Sequence, residues 1–404
     1  MMIAPEAAWA IVLGHVRPLK TVAVPLSEAA GLRIASVVRA DRDLPPADRS
    51  SMDGYALRHE DLRQVPCTLR VVGVVAAGSS VRPRIEPGTC ARIFTGANIP
   101  LGADAVVMVE ETAAHGGLVT IRSSEKFGAH IRRRGEDARK GAVLLARGTA
   151  LHAGQVGVCA AVGKASVRVY PRPRVTILCT GTELRSVADR VRSYETRNSN
   201  GPALCAALAL WGFPGTAFTV VADRPSALLA ALRRAARTND VVLFTGGASV
   251  GEYDFVRETV AAAGAKVRFH GVAMKPGKPT LYATMRGNRH VFGLPGNPLS
   301  ALTAFHEFAL PALFRLAGGA PEVCRPAWRL PLAEAVRSES GRVRCRLARL
   351  VAGANGLAVA PVPFVSSADL AAASRADGVI LLPAEDRRWA AGELVEFRAW
   401  RPLP

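Results

Sequence analysis

The sequence predicts a multidomain α/β plus β protein in which a doubly wound, largely parallel α/β domain stands between β-rich segments. Three observations carry this. From Tyr170 to about residue 320, short apolar runs alternate with helical runs of about a dozen residues, the grammar of a parallel sheet with crossover helices. Residues 68–122 read as short strands broken by Gly/Pro turns, which is the spacing of a small β domain. From Pro321 strand-like runs return (RVRCRLARL, LAVAPV, GVILLP, ELVEFRAW), a second β domain or barrel. A chain of 404 residues is too long for one core, and its length suggests roughly two to four domains.

Composition narrows the class. Hydrophobic residues are 49% and charged residues 21%, which is globular and not disordered. No run approaches the roughly 18–20 apolar residues of a membrane span, so no membrane partner is expected. Residues 5–20 read as an amphipathic helix. No basic region precedes their apolar patch, which separates the segment from a signal peptide. The seven cysteines are scattered, odd in number and never form Cys-x-x-Cys, which fits a reducing cytoplasmic setting without disulfides or a zinc site. The net charge of +19 suits a phosphorylated or polyanionic partner. The surplus is thinly spread, with no zinc-finger or aromatic RNA-binding signature, so nucleic acid is not expected.

In chain order, residues 21–40 read as extended with a short helical turn. Asp53-Gly54 reads as a turn dipeptide after the Pro45-Pro46 break. Arg92 to Ala97 ends a strand in a polar turn where Thr95 could meet a ligand or cap the turn. Arg132, Arg133 and Arg134, interleaved with Glu136, Asp137, Arg139 and Lys140, read as a solvated ion network.

Pro171 and Pro173 mark a linker into the alternating segment. Ligands of such sheets bind beyond the strand C-termini. The residues expected there are Thr180-Gly181-Thr182-Glu183, Asp223, and Thr245 to Asp254. In the last of these, Val241–Phe244 is apolar enough for a strand buried on both faces, and it empties into a turn carrying Gly246, Gly247, Ser249 and Gly251. Glycine N–H groups at a helix start favour an anion, by roughly 0.3–2 kcal/mol. Asp254 in the same turn would repel that anion unless a divalent cation bridges them. A metal-assisted phosphate site and a plain capping turn both fit the stretch. Three acids on one rim favour a cation or acid–base site.

Lys275 and Lys278 flank Pro276-Gly277, a stiff turn suited to holding an oxyanion. It is not a Walker loop, since Val272 and Pro279 replace the required glycine and hydroxyl. Residues 291–308 repeat the strand–turn–helix pattern through Pro295, Gly296, Asn297 and Pro298, with Ser300 at the helix start.

Six segments in order, SSMDGYA, RIFTGANIP-x-GADAVVM, RRRGEDARKG, GGASVGEYD, MKPGKP and GLPGNPLSAL, closely resemble the signatures of the MoeA family, shared with the E domain of gephyrin. The resemblance spans roughly residues 50 to 310 and is weaker beyond, resting there on Gly341-Arg342 and Ser366-Ser367. It implies an enzyme that inserts molybdenum from molybdate, its co-substrate, into adenylylated molybdopterin and releases AMP with magnesium assisting. It also implies an α/β domain of the molybdopterin-binding type (5–21 and 171–320), a linking domain (22–40 and 142–170), an inserted β domain (41–141) and a C-terminal β barrel (321–404). Family members are homodimers with the active site at the subunit interface, and molybdopterin adenylyltransferase and other pathway proteins are candidate partners. The implied catalytic residues are Asp53, Glu183, Asp223, Asp254, Lys275 and Lys278, with Glu183, Asp223 and Asp254 holding magnesium. The implied substrate-binding residues are Thr95, Gly181, Gly246, Gly247, Ser249, Gly251, Pro295, Asn297, Pro298 and Ser300. Asp53 would act from the partner subunit, as metal ligand or as proton acceptor. The sequence departs from the pattern at Thr182, where an acid is usual, and in Glu195 to Asn200, so the details of cation ligation stay open.

The alternatives from other classes are the preceding adenylyltransferase step, a non-catalytic scaffold and a basic nucleic-acid binder. The DGYA segment and the flanking β domains weigh against the first, the retained rim acids and lysines against the second.

Overall fold

A computed structural model describes residues 2–246, 255–326, 328–353 and 356–402. The chain divides into two compact units, one of residues 1–35, 147–152 and 166–404, the other of residues 36–146 and 153–165.

The larger unit is built on a six-stranded sheet. Its spatial order is Ala217–Val221, Val175–Thr180, Val241–Thr245, Arg289–Leu294, Leu281–Met285 and Lys266–His270. The first four strands pair in parallel, and Leu281–Met285 pairs antiparallel with both Arg289–Leu294 and Lys266–His270. Val241–Thr245 is buried throughout, as a strand covered on both faces must be. Alternate residues feed two cores. Val175, Ile177, Val241, Leu243 and Phe292 pack with helices Pro5–His15, Asn200–Leu210 and Pro298–Ala304. Leu178, Val242, Phe244 and Val291 pack under helices Pro225–Thr238 and Phe255–Ala262. This period-two division is what makes the sheet doubly wound.

The N-terminal helix is shorter than the sequence suggests. It ends at His15, with Val16 extended. Pro18 disfavours helical angles at Arg17, so residues 16–20 leave the helix. Ala8 and Val12 form its inward stripe, and Val16 is buried just past its end.

After Pro321 the strands Trp328–Pro331, Val343–Gly353, Gly356–Pro361, Gly378–Leu382 and Leu394–Ala399 form one curled sheet. A bridge between Leu332 and Val359 brings its two ends together, making a small barrel. Val359, Ile380, Val395 and Phe397 fill the interior. The edge of this sheet is supplied by Met274–Lys275, which pairs in parallel with Val343 and Arg344.

The smaller unit centres on a six-stranded sheet of Ala105–Met108, Gly54–Leu57, Thr89–Ile93, Cys67–Val75, Leu118–Ile121 and Thr112–His115. Gly54 is the first residue of a strand here and not part of a turn. A Cβ at Gly54 would lie 1.9 Å from the Val107 carbonyl oxygen, so glycine is required by close strand approach. The arginine cluster is an exposed ion network. Arg132 pairs with Asp137 and Arg134 with Asp43 at 2.7 Å, and Arg133 pairs with Asp48 at 2.8 Å.

Among the described residues no helix is long and apolar enough to cross a membrane. All seven cysteines are free.

Candidate active site

The C-terminal ends of the four parallel strands open into a cleft of about 720 Å³. Thr180 ends the first strand, Asp223 follows Val221, Gly246 follows Thr245, and Pro295 follows Leu294. Their convergence follows from the parallel pairing, because each strand delivers its C-terminal residue to the same rim.

Two carboxylates stand on this rim, those of Glu183 and Asp223. The buried Thr180 hydroxyl donates to Asp223 Oδ1 at 2.8 Å, which fixes that oxygen. Gly246 has φ +91°, and a Cβ there would lie 2.0 Å from the Thr180 carbonyl oxygen. Only glycine permits both the angle and the approach. Asn200 Nδ2 donates to the Gly296 carbonyl at 2.7 Å and so holds the neighbouring turn.

A second wall of the cleft includes the turn carrying Lys275 and Lys278. The buried Thr280 hydroxyl donates to the Gly277 carbonyl at 2.7 Å, and Val272 N–H donates to the Lys278 carbonyl at 2.8 Å. The two ammonium groups are therefore carried by a closed loop. Pairing of Met274–Lys275 with the barrel edge brings Arg342, Arg344 and Arg346 to the same cleft. Arg344 is ion-paired with Glu339, which also lines the cleft. The wall therefore carries five cations, against three carboxylates in the cleft as a whole. Ser366 and Ser367 complete it, and Asn297 Nδ2 donates to Ser367 Oγ at 2.7 Å.

Of the residues singled out from the sequence, Gly181, Glu183, Asp223, Gly246, Lys275, Lys278, Pro295, Asn297 and Ser300 line this one cleft. Pro298 does not; it is the first residue of the helix Pro298–Ala304. Gly247, Ser249, Gly251 and Asp254 lie outside the described residues. Asp53 and Thr95 belong to the smaller unit and contact each other. Thr95 N–H and its hydroxyl both donate to Asp53 Oδ1 at 2.7 Å. Those two hydrogen bonds hold the Asp53 carboxyl below the usual carboxylate range.

Sequence reasoning missed Glu339, Arg344 and Arg346. A signal was present: arginines at 342, 344 and 346 recur with period two, the spacing of one strand face, with Arg342 just before the strand Val343–Gly353 and Arg344 and Arg346 on it.

Comparison with known proteins places this architecture. The MoeA N-terminal region (domain I and II) matches residues 3–163, a probable molybdopterin binding domain residues 176–315, and the MoeA C-terminal region (domain IV) residues 329–400. The molybdopterin molybdenumtransferase of Staphylococcus epidermidis is 33% identical over 97% of this chain and 94% of its own length. The chain belongs to the MoeA family. A MoeA-family relative from Nostoc sp., also named molybdopterin molybdenumtransferase, is 38% identical over 73% of this chain and 69% of its own length. The molybdopterin biosynthesis MoeA protein of Pyrococcus horikosii superposes with a TM-score of 0.82 at 29% identity, covering 100% of both chains. A molybdenum cofactor biosynthesis protein from Pyrococcus furiosus shares the fold, with a TM-score of 0.60 at 20% identity. The multidomain MoeA architecture of α/β domain, β domains and C-terminal barrel is thus that of this chain.

Proposed function

We propose that this chain is a molybdopterin molybdenumtransferase, which inserts molybdenum from molybdate into adenylylated molybdopterin and releases AMP in molybdenum cofactor biosynthesis. The observation that carries the reading is the charge content of one cleft, lined by Glu183 and Asp223 of the sheet rim together with Lys275, Lys278, Arg342, Arg344 and Arg346. Molybdate is a dianion and is repelled by carboxylates. Guanidinium and ammonium groups lining the cleft attract it and hold it there. The substrate pyrophosphate is anionic too, and Gly246 lets the backbone approach it closely.

The donor set fits magnesium, which takes oxygen ligands and is usually bound through one or two carboxylates together with substrate phosphates. Glu183 and Asp223 would hold it, together with Asp254. Bound there, the ion would neutralise charge on the pyrophosphate. Thr180 orients Asp223 for this task. Lys275 and Lys278 position molybdate so that one of its oxygens bonds to the pterin-side phosphorus as the P–O bond to AMP breaks and AMP leaves. The two dithiolene sulfurs then bond molybdenum, displacing that phosphate oxygen and one oxo group, which leaves as water with the two thiol protons.

The same reading includes a homodimer in which Asp53 and Thr95 of a second subunit serve the cleft. It retains the four-part division of the chain into linking, inserted, α/β and barrel domains.

The test is direct. Purified protein is incubated with adenylylated molybdopterin, molybdate and magnesium, and AMP is quantified by chromatography. Molybdate-dependent AMP release is expected. Consumption of ATP with molybdopterin in its place would assign the adenylyltransferase step, and absence of any turnover would favour a scaffold.

A further inference from the structure

Behind the cleft lies a buried charged cluster that the chemistry above does not use. Glu307 is only 2% exposed, in the π-helical turn Phe305–Ala309 that continues the helix Pro298–Ala304. Its carboxylate lies 3.2 Å from the Arg325 guanidinium and 3.9 Å from that of Arg398. The arginine side chains are 12% and 9% exposed. Among the described residues Glu307 is the only acid ion-paired with Arg325, whereas Arg398 also pairs with Glu396. Arg325 stacks on Trp9 of the N-terminal helix, 5.2 Å from the ring centroid, and Arg398 donates to the Pro326 carbonyl at 3.0 Å.

A buried ion cluster is an expensive way to gain stability, because desolvation offsets most of the attraction. Its charges favour one arrangement of partners, which an apolar contact does not. Glu307 belongs to a helical segment whose N-terminal end holds Asn297 and Ser300 at the cleft. Ser300 and Glu307 lie seven helical steps apart, a span of ~10 Å. The barrel contacts this rod at two points, at its N-terminal end through Ser367 on Asn297 and near its middle through Arg398 on Glu307, before the helix continues as Leu310–Leu316. The adjacent His306 Nε2 is 3.0 Å from the Trp400 carbonyl oxygen and reinforces the second contact.

We infer that Glu307 is a positioning residue. It fixes the barrel against the catalytic helix so that the arginine-bearing strand Val343–Gly353 stands at the right distance from the rim acids. The inference rests on the transferase reading for its kinetic consequence, though not for its geometry.

The test compares wild type with Glu307→Gln at a temperature where both are folded. Two readouts are taken, the KM values for molybdate and for adenylylated molybdopterin, and hydrogen–deuterium exchange across residues 342–346. Expected are a rise of about tenfold in KM for molybdate with little change in KM for the nucleotide substrate, and faster exchange at Val343, whose N–H is bonded to the Ala273 carbonyl. Exchange in Val241–Thr245 should be unchanged. Loss of melting temperature with both KM values and the exchange of 342–346 unaltered would overturn the inference. Should Glu307→Gln not fold, Arg398→Met is expected to give the same pattern and Arg398→Lys a partial one. If wild type releases no AMP from adenylylated molybdopterin, the transferase reading falls, and the exchange comparison alone decides the positioning role.

Discussion

Replacing Gly246 by alanine should injure chemistry more than folding, and the structure supplies the reason. An alanine at φ +91° adopts a left-handed backbone, which costs roughly 1–2 kcal/mol for a non-glycine residue. The added Cβ would also lie 2.0 Å from the Thr180 carbonyl oxygen, where contacts under 3.0 Å essentially never occur. The strand ends must therefore part by about 1 Å, at a point where Cys179 and Thr245 are paired neighbours. Strain and lost contacts together should lower stability by ~2–4 kcal/mol. The displaced residue is Thr180, whose hydroxyl orients Asp223. A 1 Å misplacement of such a group can lower turnover about 10²-fold. The control is Gly264→Ala. Gly264 has φ +80° with no heavy atom within 4 Å of an added Cβ, so it carries the backbone cost alone. AMP release and urea denaturation would be measured on both variants. Equal turnover in the two, or Gly246→Ala within threefold of wild type, would refute the argument that Gly246 spaces the two strand ends for catalysis.

Further outcomes are expected. If two subunits complete the site, a mixture of Asp53→Ala and Asp223→Ala proteins, each inactive alone, should regain part of the AMP release on subunit exchange; no recovery in a verified heterodimer would remove the shared-site reading. Chelating magnesium should suppress AMP release, and Asp223→Asn should raise the magnesium concentration needed for half-maximal rate; an unchanged magnesium titration would remove Asp223 as a ligand. Thr95→Val deletes one of the two hydrogen bonds that depress Asp53, so the Asp53 carboxyl should titrate higher, as followed by carbon NMR. A depressed carboxyl gives stability that is present above its unfolded value and lost as pH falls through its folded one, so this variant should be less sensitive to acid. His290 and His306 are pulled down to about 4 by burial, although two carbonyls beside His306 favour its charged ring. Both bind protons more readily unfolded, so each should cost ~1.4 kcal/mol per pH unit as pH falls from about 6.5 toward 4. Denaturation midpoints of His306→Gln should show a flatter decline over that window.

Much of the site could be read from the chain because a parallel sheet fixes where strand ends go. Once Val175–Thr180, Ala217–Val221, Val241–Thr245 and Arg289–Leu294 are recognised as strands, Thr180, Asp223, Gly246 and Pro295 must share a rim. What could not be read depended on contacts distant in sequence. Leu281–Met285 runs against both of its neighbours, because the short connections through 271–280 and 286–288 cannot make crossovers. Gly54 looks like turn chemistry, and only the facing Val107 carbonyl reveals its role. The period-two spacing of Arg344 and Arg346 is present in the sequence, but nothing local ties that face to Lys275. That tie is the two-residue pairing of Met274–Lys275 with Val343–Arg344.

This pairing has a consequence for modularity. A fragment beginning at Pro321 would lose a strand it never encoded and would present naked N–H and C=O groups at Val343 and Arg344, an invitation to self-association. The barrel is separate in the order of the chain but not self-sufficient, and a swap between relatives would have to carry the lysine-bearing turn along with it.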